Sequence, residues 1–209
     1  MMQHTIITIG RQFGSGGHEV GNRLAERLDI PLYDHNLIRM AAQELRISNE
    51  EATKVDETIL GRFLSAYVVS TGDYTAFMGG EEAGKPLSDR VFERQSAIIR
   101  KLAERGPGIF VGRCADYILG DYSNCVNTFI YAYKEDRIRR IMKFYKLEEK
   151  QAADKVKRMD RDRKLYYEAR TGREWGGIEA NAMMFNTSLL GIDGVVEALE
   201  AIYHKWETR

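Results

Sequence analysis

The sequence predicts an α/β fold built on a five-stranded parallel sheet. Short apolar runs that suit buried strands alternate along the chain with stretches that carry apolar residues at helical spacing. This alternation is typical of parallel sheets whose crossover connections are helices. The 209 residues are enough to bury a substantial core, and they allow one large domain with an inserted subdomain.

The clearest pattern lies near the N-terminus, where a strand, a glycine-rich loop and a helix are predicted in succession. The strand is the β-branched run Thr5–Ile9, and the helix runs from about Gly16 to Leu28. Glycines let backbone N–H groups approach a ligand, and a helix N-terminus attracts anions. The residues predicted to bind a phosphate are therefore Gly14, Ser15, Gly16, Gly17 and His18.

This loop departs from both standard phosphate-binding patterns. In the P-loop pattern G-x-x-x-x-G-K-[ST], Arg11 stands at the first glycine, Gly17 at the lysine and His18 at the Ser/Thr. Ser15 is then the alternative ligand for a metal ion. In the dinucleotide pattern G-x-G-x-x-G, the last glycine is Glu19, although Asp34 stands where an acid would bind the ribose.

The remaining elements follow from apolar periodicity and from glycine and proline interruptions. Further strands are predicted at 30–34, 109–111, 126–132 and 182–186, and helices at 35–44, 48–70, 89–105, 114–119, 134–146 and 192–206. Residues 70–88 are interrupted by glycines, which predicts either a lid or an ordinary connecting loop.

Two polar residues follow predicted strands, where ligands of open α/β sheets collect. Asp34 ends the second strand, and it either caps the next helix or binds substrate. Arg113 follows Gly112 after the third strand, and it either grips a phosphate or carboxylate or makes a structural ion pair.

A basic stretch between residues 155 and 173 holds eight Lys and Arg residues but only three acids. Arg158 and Arg161 are three residues apart and share a helix face. Such a stretch is either a solvated helix face or a lid whose arginines stabilise a transferring phosphoryl group. The phosphate loop favours the lid.

Charge and cysteine content exclude several classes of function. The 31 basic and 31 acidic residues leave no net charge, which argues against nucleic-acid binding. No apolar run is long enough to span a membrane and no signal peptide is recognised, so we expect a cytoplasmic protein. The partner expected from the kinase hypothesis below is a small-molecule acceptor. Cys114 and Cys125 form no metal-binding motif and are expected to be reduced thiols.

Three segments together resemble the cytidylate kinase-like family of P-loop kinases: GRQFGSGG at 10–17, VGRCADYIL at 111–119 and NTSLLGID at 186–193. The resemblance implies a three-layer P-loop fold with five parallel strands, a helical substrate subdomain inserted at about 35–88 and a lid at about 147–175. It also implies ATP as phosphoryl donor, with Mg²⁺, and a nucleoside monophosphate as acceptor.

The resemblance assigns roles to particular residues. It places the donor phosphates on the loop at 14–17, the acceptor near Arg113, and the lid arginines Arg158, Arg161 and Arg163 around the transferring group. The family's P-loop lysine is absent at Gly17, and Arg11 is our candidate to replace it toward the β- and γ-phosphates.

Three hypotheses follow from the sequence. The first is a kinase that transfers a phosphoryl group from ATP to a nucleoside monophosphate or another small molecule. The second is a nucleotide-binding module that lost catalysis together with the lysine. The third is a dinucleotide-dependent enzyme that uses Asp34 on a ribose.

Overall fold

The computed structural model describes residues 4–34 and 87–208, and it confirms the predicted α/β architecture. Five parallel strands form one sheet in the order β2-β3-β1-β4-β5. The strands are β1 (Ile6–Arg11), β2 (Leu32–Tyr33), β3 (Gly108–Val111), β4 (Cys125–Tyr131) and β5 (Met183–Asn186). The helices predicted at 35–44 and 48–70, and most of the predicted insert, lie outside the described residues.

Six α-helices and one short 3₁₀-helix connect and follow these strands in the described ranges. They are α1 (Gly17–Leu28), α2 (Leu87–Arg105), α3 (Ala115–Ile118), α4 (Lys134–Tyr145), α5 (Glu149–Thr171) and α6 (Thr187–Glu207), with the 3₁₀-helix at Ile178–Ala180. Within residues 4–34 and 87–208, no helix is both long and apolar enough to cross a bilayer.

The side chains of β1 alternate between two apolar layers. Ile7 and Ile9 pack with α1 and α6, whereas Ile6 packs on the other side with α2, α3 and Tyr167 of α5. All three isoleucines are fully buried, and burial of such a side chain stabilises the fold by about 1.5–3 kcal/mol. The central position of β1 therefore anchors the glycine-rich loop that follows it.

The ends of several elements differ from the sequence prediction. β1 continues to Arg11 because Gly10 and Arg11 still pair with β4, and β2 is only two residues long. The last helix begins at Thr187 rather than 192, because the Asn186 side chain accepts the Ser188 N–H at 2.9 Å and caps it. Gly191 interrupts this helix with φ of 69°.

The predicted lid segment is mostly one helix, α5. It begins with a capping box between Glu148 and Gln151 and ends at Gly172. Ala152 and Val156 pack against Ile138 and Ile141 of α4. This packing decides which side of α5 faces the glycine-rich loop.

Candidate active site

The glycine-rich loop turns the chain from β1 into α1 through two left-handed residues. Gly14 and Gly16 have φ of +80° and +82°, a region that L side chains disfavour. A Cβ at Gly16 would also collide with the Ile192 side chain of α6. The loop therefore keeps bare backbone at the start of α1, where unpaired N–H groups attract anions.

Ser15 stabilises the loop from the inside. Its side chain is buried, and its hydroxyl donates to the Gln12 carbonyl at 2.9 Å and accepts the Gly17 N–H at 3.4 Å. Thr187 of α6 donates to the Ser15 carbonyl at 2.7 Å. The hydroxyl that the sequence offered as a metal ligand is thus engaged within the loop.

A charged pair holds the backbone of Phe13, in the same loop, from both sides. Asp160 of α5 accepts the Phe13 N–H at 2.7 Å, and its second oxygen pairs with Arg137 of α4. Arg137 in turn donates to the Phe13 carbonyl at 3.3 Å. Because both side chains are mostly buried, this pair ties the loop to α4 and α5.

His18 and Asp34, predicted to bind different ligands, are hydrogen-bonded to each other. His18 Nε2 lies 2.7 Å from Asp34 Oδ2, and Nδ1 lies 3.2 Å from the amide nitrogen of Asn22. The amide nitrogen is a donor, so the partners assign the proton to Nε2. The pair joins the first turn of α1 to the end of β2.

Of the three arginines predicted on the lid, only Arg163 contacts the loop region. Its guanidinium donates to the Arg11 carbonyl at 3.0 Å and lies over the Phe13 ring at 5.4 Å. Arg158 and Arg161 are exposed, and Arg161 Nε lies 3.6 Å from Asp162 Oδ1. Arg158 and Arg161 share a helix face, as the sequence predicts. That face is exposed to solvent and does not meet the loop.

Arg11 occupies space that two glycines leave open. A Cβ at Gly17 would lie 2.7 Å from the Arg11 Cβ and 3.1 Å from its Cγ. At the other end of the side chain, a Cβ at Gly112 would collide with the guanidinium. The stem of Arg11 therefore runs beside Gly17, and its charge ends at Gly112, after β3.

A cavity opens where the guanidinium ends, between the carboxyl ends of β1 and β3 and the helix α5. Arg113, predicted to bind substrate, lines this cavity, and its carbonyl accepts a hydrogen bond from Gln95 at 3.3 Å. The side chains that matter here are three arginines, two carboxylates and one indole: Arg11, Arg113, Arg163, Asp116, Asp162 and Trp175.

Both cavity carboxylates are buried. Asp116 accepts the Tyr167 hydroxyl at 2.5 Å, and burial raises the pKa of this carboxyl above its usual range although the hydrogen bond opposes the shift. Asp162 is 4% exposed, and its Oδ1 has no hydrogen-bond partner among the described residues. This oxygen is fully buried, and it lies 3.6 Å from Arg161 Nε.

A further cation lies beside the loop at Gly16. Arg140 of α4 pairs with Glu19 of α1, and its guanidinium carbon would be 3.4 Å from a Cβ at Gly16. Arg23 pairs with the same Glu19 and, at 2.5 Å, with Asp193 of α6. This network links three helices around the start of α1.

Comparison with known proteins agrees with this geometry. The family model described as the cytidylate kinase-like family matches residues 6–189. The chain belongs to the cytidylate kinase-like family. This confirms the resemblance found in the sequence, and it favours the kinase hypothesis over the dinucleotide one. A search of the curated proteins returned no match.

Solved structures support the same fold. An uncharacterised protein from Eubacterium ventriosum ATCC 27560 is 27% identical, with a TM-score of 0.71 over 96% of this chain and 99% of that one. A gluconokinase from Sinorhizobium meliloti 1021 is 12% identical, with a TM-score of 0.53 over 100% and 96%. A shikimate kinase from Bacteroides thetaiotaomicron is 14% identical, with a TM-score of 0.52 over 96% and 98%. This chain shares its fold with these solved structures.

Sequence reasoning missed several of these residues. In the sequence, Asp160 and Asp162 are two of the three acids in the basic stretch, and nothing marks them as site residues. Arg137 and Arg140 lie in a predicted helix without a distinguishing motif. The available signal was the helical register of α5: Asp160 and Arg163 are three residues apart and share the face that meets the loop.

Proposed function

We propose that this protein transfers the γ-phosphoryl group of ATP, with Mg²⁺, to a small polar acceptor, with nucleoside monophosphates such as cytidylate as the first candidates. The supporting observation is the position of the glycine-rich loop directly beside the arginine-lined cavity. Arg11 connects the two, because its stem lies at Gly17 and its guanidinium at Gly112. A kinase needs this arrangement of a donor phosphate site next to an acceptor site.

The loop fits the phosphates of a nucleotide. Gly14 and Gly16 leave the backbone at the start of α1 without side chains, and such N–H groups bind phosphate oxygens. Arg163 beside Phe13 and Arg140 beside Gly16 bring positive charge to the same place. These cations are positioned to neutralise donor phosphates that a P-loop lysine would otherwise bind.

Mg²⁺ enters this proposal through the nucleotide. In the described residues, no group of three or more His, Cys, Asp or Glu side chains is arranged as a metal site. An ion held mainly by phosphate oxygens and water suits the preference of Mg²⁺ to keep part of its hydration shell. When bound, it would neutralise charge on the phosphates.

Phosphoryl transfer requires little covalent chemistry from the protein. It needs the donor and acceptor in line and cations around the transferring group. Arg163 lies between loop and cavity and is our first candidate for that role. Arg158 and Arg161 would contribute only if α5 moved or turned toward the loop.

The direct test is a transfer assay with purified protein, ATP and Mg²⁺. The acceptor panel contains CMP, UMP, AMP, shikimate and gluconate, and formation of ADP together with a phosphorylated product supports the proposal. Gly16→Ala is the variant expected to impair phosphate binding by the loop. The control is Arg27→Met: Arg27 lies in the last turn of α1, where it pairs with Glu200 of α6.

The outcomes separate the hypotheses. ATP binding without transfer to any acceptor would favour the non-catalytic nucleotide-binding module. Failure to bind ATP, measured as thermal stabilisation that grows with ATP concentration, would refute the proposal altogether.

A further inference from the structure

We propose that Arg11 binds the acceptor rather than the donor, and that the acceptor carries an anionic group that reaches the end of β3. This inference rests on the proposed kinase function, because it divides the two substrates between the loop and the cavity. It assigns to the acceptor side a cation that the sequence assigned to the donor.

The first step is steric. Arg11 and a lysine at position 17 exclude each other, because a Cβ at Gly17 would lie 2.7 Å from the Arg11 Cβ, closer than non-bonded carbons approach. Relative to the P-loop pattern, glycine and cation have exchanged places between positions 11 and 17. The cation has therefore moved from the start of α1 to the end of β1.

The second step is the direction of the side chain. The Arg11 guanidinium lies where a side chain of Gly112 would be, and Gly112 has φ of +73°. The backbone of Arg11 is held by Arg163, which donates a hydrogen bond to the Arg11 carbonyl at 3.0 Å. The charge is thereby placed between β1 and β3, on the lining of the cavity.

The third step is the charge of the cavity. The cavity is lined by three arginines, Arg11, Arg113 and Arg163, and by two aspartates, Asp116 and Asp162. Burial disfavours the charged form of Asp116, so the lining has an excess of positive charge. A planar guanidinium is suited to bind a phosphate or carboxylate through two parallel hydrogen bonds. The acceptor class is therefore a small anion, such as a phosphate monoester or a hydroxy acid.

The experiment measures anion binding in the cavity through the fluorescence of a tryptophan that lines it. Trp175 lines the cavity, and the chain has two tryptophans, the other being Trp206 in α6. In a Trp206→Phe background, Trp175 fluorescence is titrated separately with inorganic phosphate and with CMP. Binding of the non-hydrolysable ATP analogue AMPPNP with Mg²⁺ is measured by calorimetry.

We expect Arg11→Met to weaken phosphate and CMP binding by about 10- to 100-fold, the usual effect of losing a charge-assisted contact. AMPPNP affinity should change less than about threefold. Arg11→Lys keeps the charge but cannot donate two parallel hydrogen bonds as a guanidinium does, so an intermediate loss of phosphate and CMP affinity is expected. Arg27→Met removes the same charge at the far end of α1 and should change neither affinity.

The double variant Arg11→Gly, Gly17→Lys restores the first glycine and the lysine of the P-loop pattern, while His18 stays at the Ser/Thr position, and it tests the exchange. It should keep or gain AMPPNP affinity while losing phosphate and CMP binding at Trp175. If Arg11→Met does not fold, as judged by circular dichroism, Arg11→Lys and the double variant decide the question.

Three results would overturn the inference: a larger loss of AMPPNP than of phosphate and CMP, no loss of either, or no anion binding at Trp175 in the parent protein. If the parent protein binds phosphate and CMP at Trp175 but does not bind AMPPNP, the proposed kinase function fails, whereas the Arg11 variants still test the anion site.

Discussion

The pair formed by Asp160 and Arg137 offers a quantitative test of how the phosphate loop is held. Asp160→Asn keeps the size of the side chain and can still accept the Phe13 N–H. It removes the charge opposite Arg137, whose side chain is 11% exposed against 18% for Asp160. Arg137 Nε already lacks a hydrogen-bond partner among the described residues, so little else compensates its charge.

The magnitude follows from this burial. Removing one partner of a fully buried ion pair costs about 3–5 kcal/mol, and the residual exposure of both side chains lowers our expectation to about 2–3 kcal/mol. For a chain of this size, 1 kcal/mol corresponds to about 2–4 °C, so Tm should fall by about 4–12 °C. ATP binding should weaken as well, because the loop keeps the hydrogen bond at the Phe13 N–H but loses the ion pair that joins α4 to α5 beside it.

The assay is urea denaturation followed by circular dichroism, with Asp154→Asn as the control on an exposed position of the same helix. A double-mutant cycle with Arg137→Met should give a coupling of at least about 1 kcal/mol. A loss below about 0.5 kcal/mol, typical of surface substitutions, or the absence of coupling would refute the argument that this pair supports the loop.

Three further predictions concern the loop and the buried groups. Gly16→Ala should weaken ATP binding by about 10-fold or more, measured by calorimetry, because an L side chain is strained at φ of +82° and its Cβ would displace the end of the Ile192 side chain; unchanged affinity would contradict the loop geometry. The raised pKa of Asp116 means that its contribution to stability is present below about pH 4 and is lost as pH rises through the raised pKa. Between about pH 4 and pH 8, the free energy of unfolding of the wild type should therefore fall relative to that of Asp116→Asn, as measured by urea denaturation. A difference that does not change with pH would contradict the raised pKa. Burial raises the pKa of both thiols, that of Cys125 to about 12, so at pH 8 a disulfide reagent should modify Cys114 and Cys125 only slowly until the protein is denatured.

Several parts of the site could be read from the sequence because they are local in the chain. The glycines of the loop, the start of α1 and the strand that precedes them lie within one short stretch. Arg113 follows Gly112 at the end of a strand, and it lines the cavity. Local patterns determine such features because dihedral angles and helix periodicity act over a few residues.

Other parts could not be read in this way because the partners are far apart in the chain. Asp160 lies 147 residues after Phe13, whose N–H it accepts, and Thr187 lies 172 residues after Ser15. Each of these residues is an ordinary polar residue in its own neighbourhood. The fold brings them to the loop only when α5 and α6 pack beside it.

The sequence by itself determined the order of strands and helices in the described ranges, the glycine-rich loop and the family. The tertiary structure decided which cation serves which part of the site. Arg163 reaches the loop region whereas Arg158 and Arg161 do not, because Ala152 and Val156 fix the rotation of α5 against α4. The direction of Arg11 likewise depends on Gly17 and Gly112, which are distant in sequence but adjacent around its side chain. Helical periodicity gives the faces of a helix, but only packing determines what each face meets.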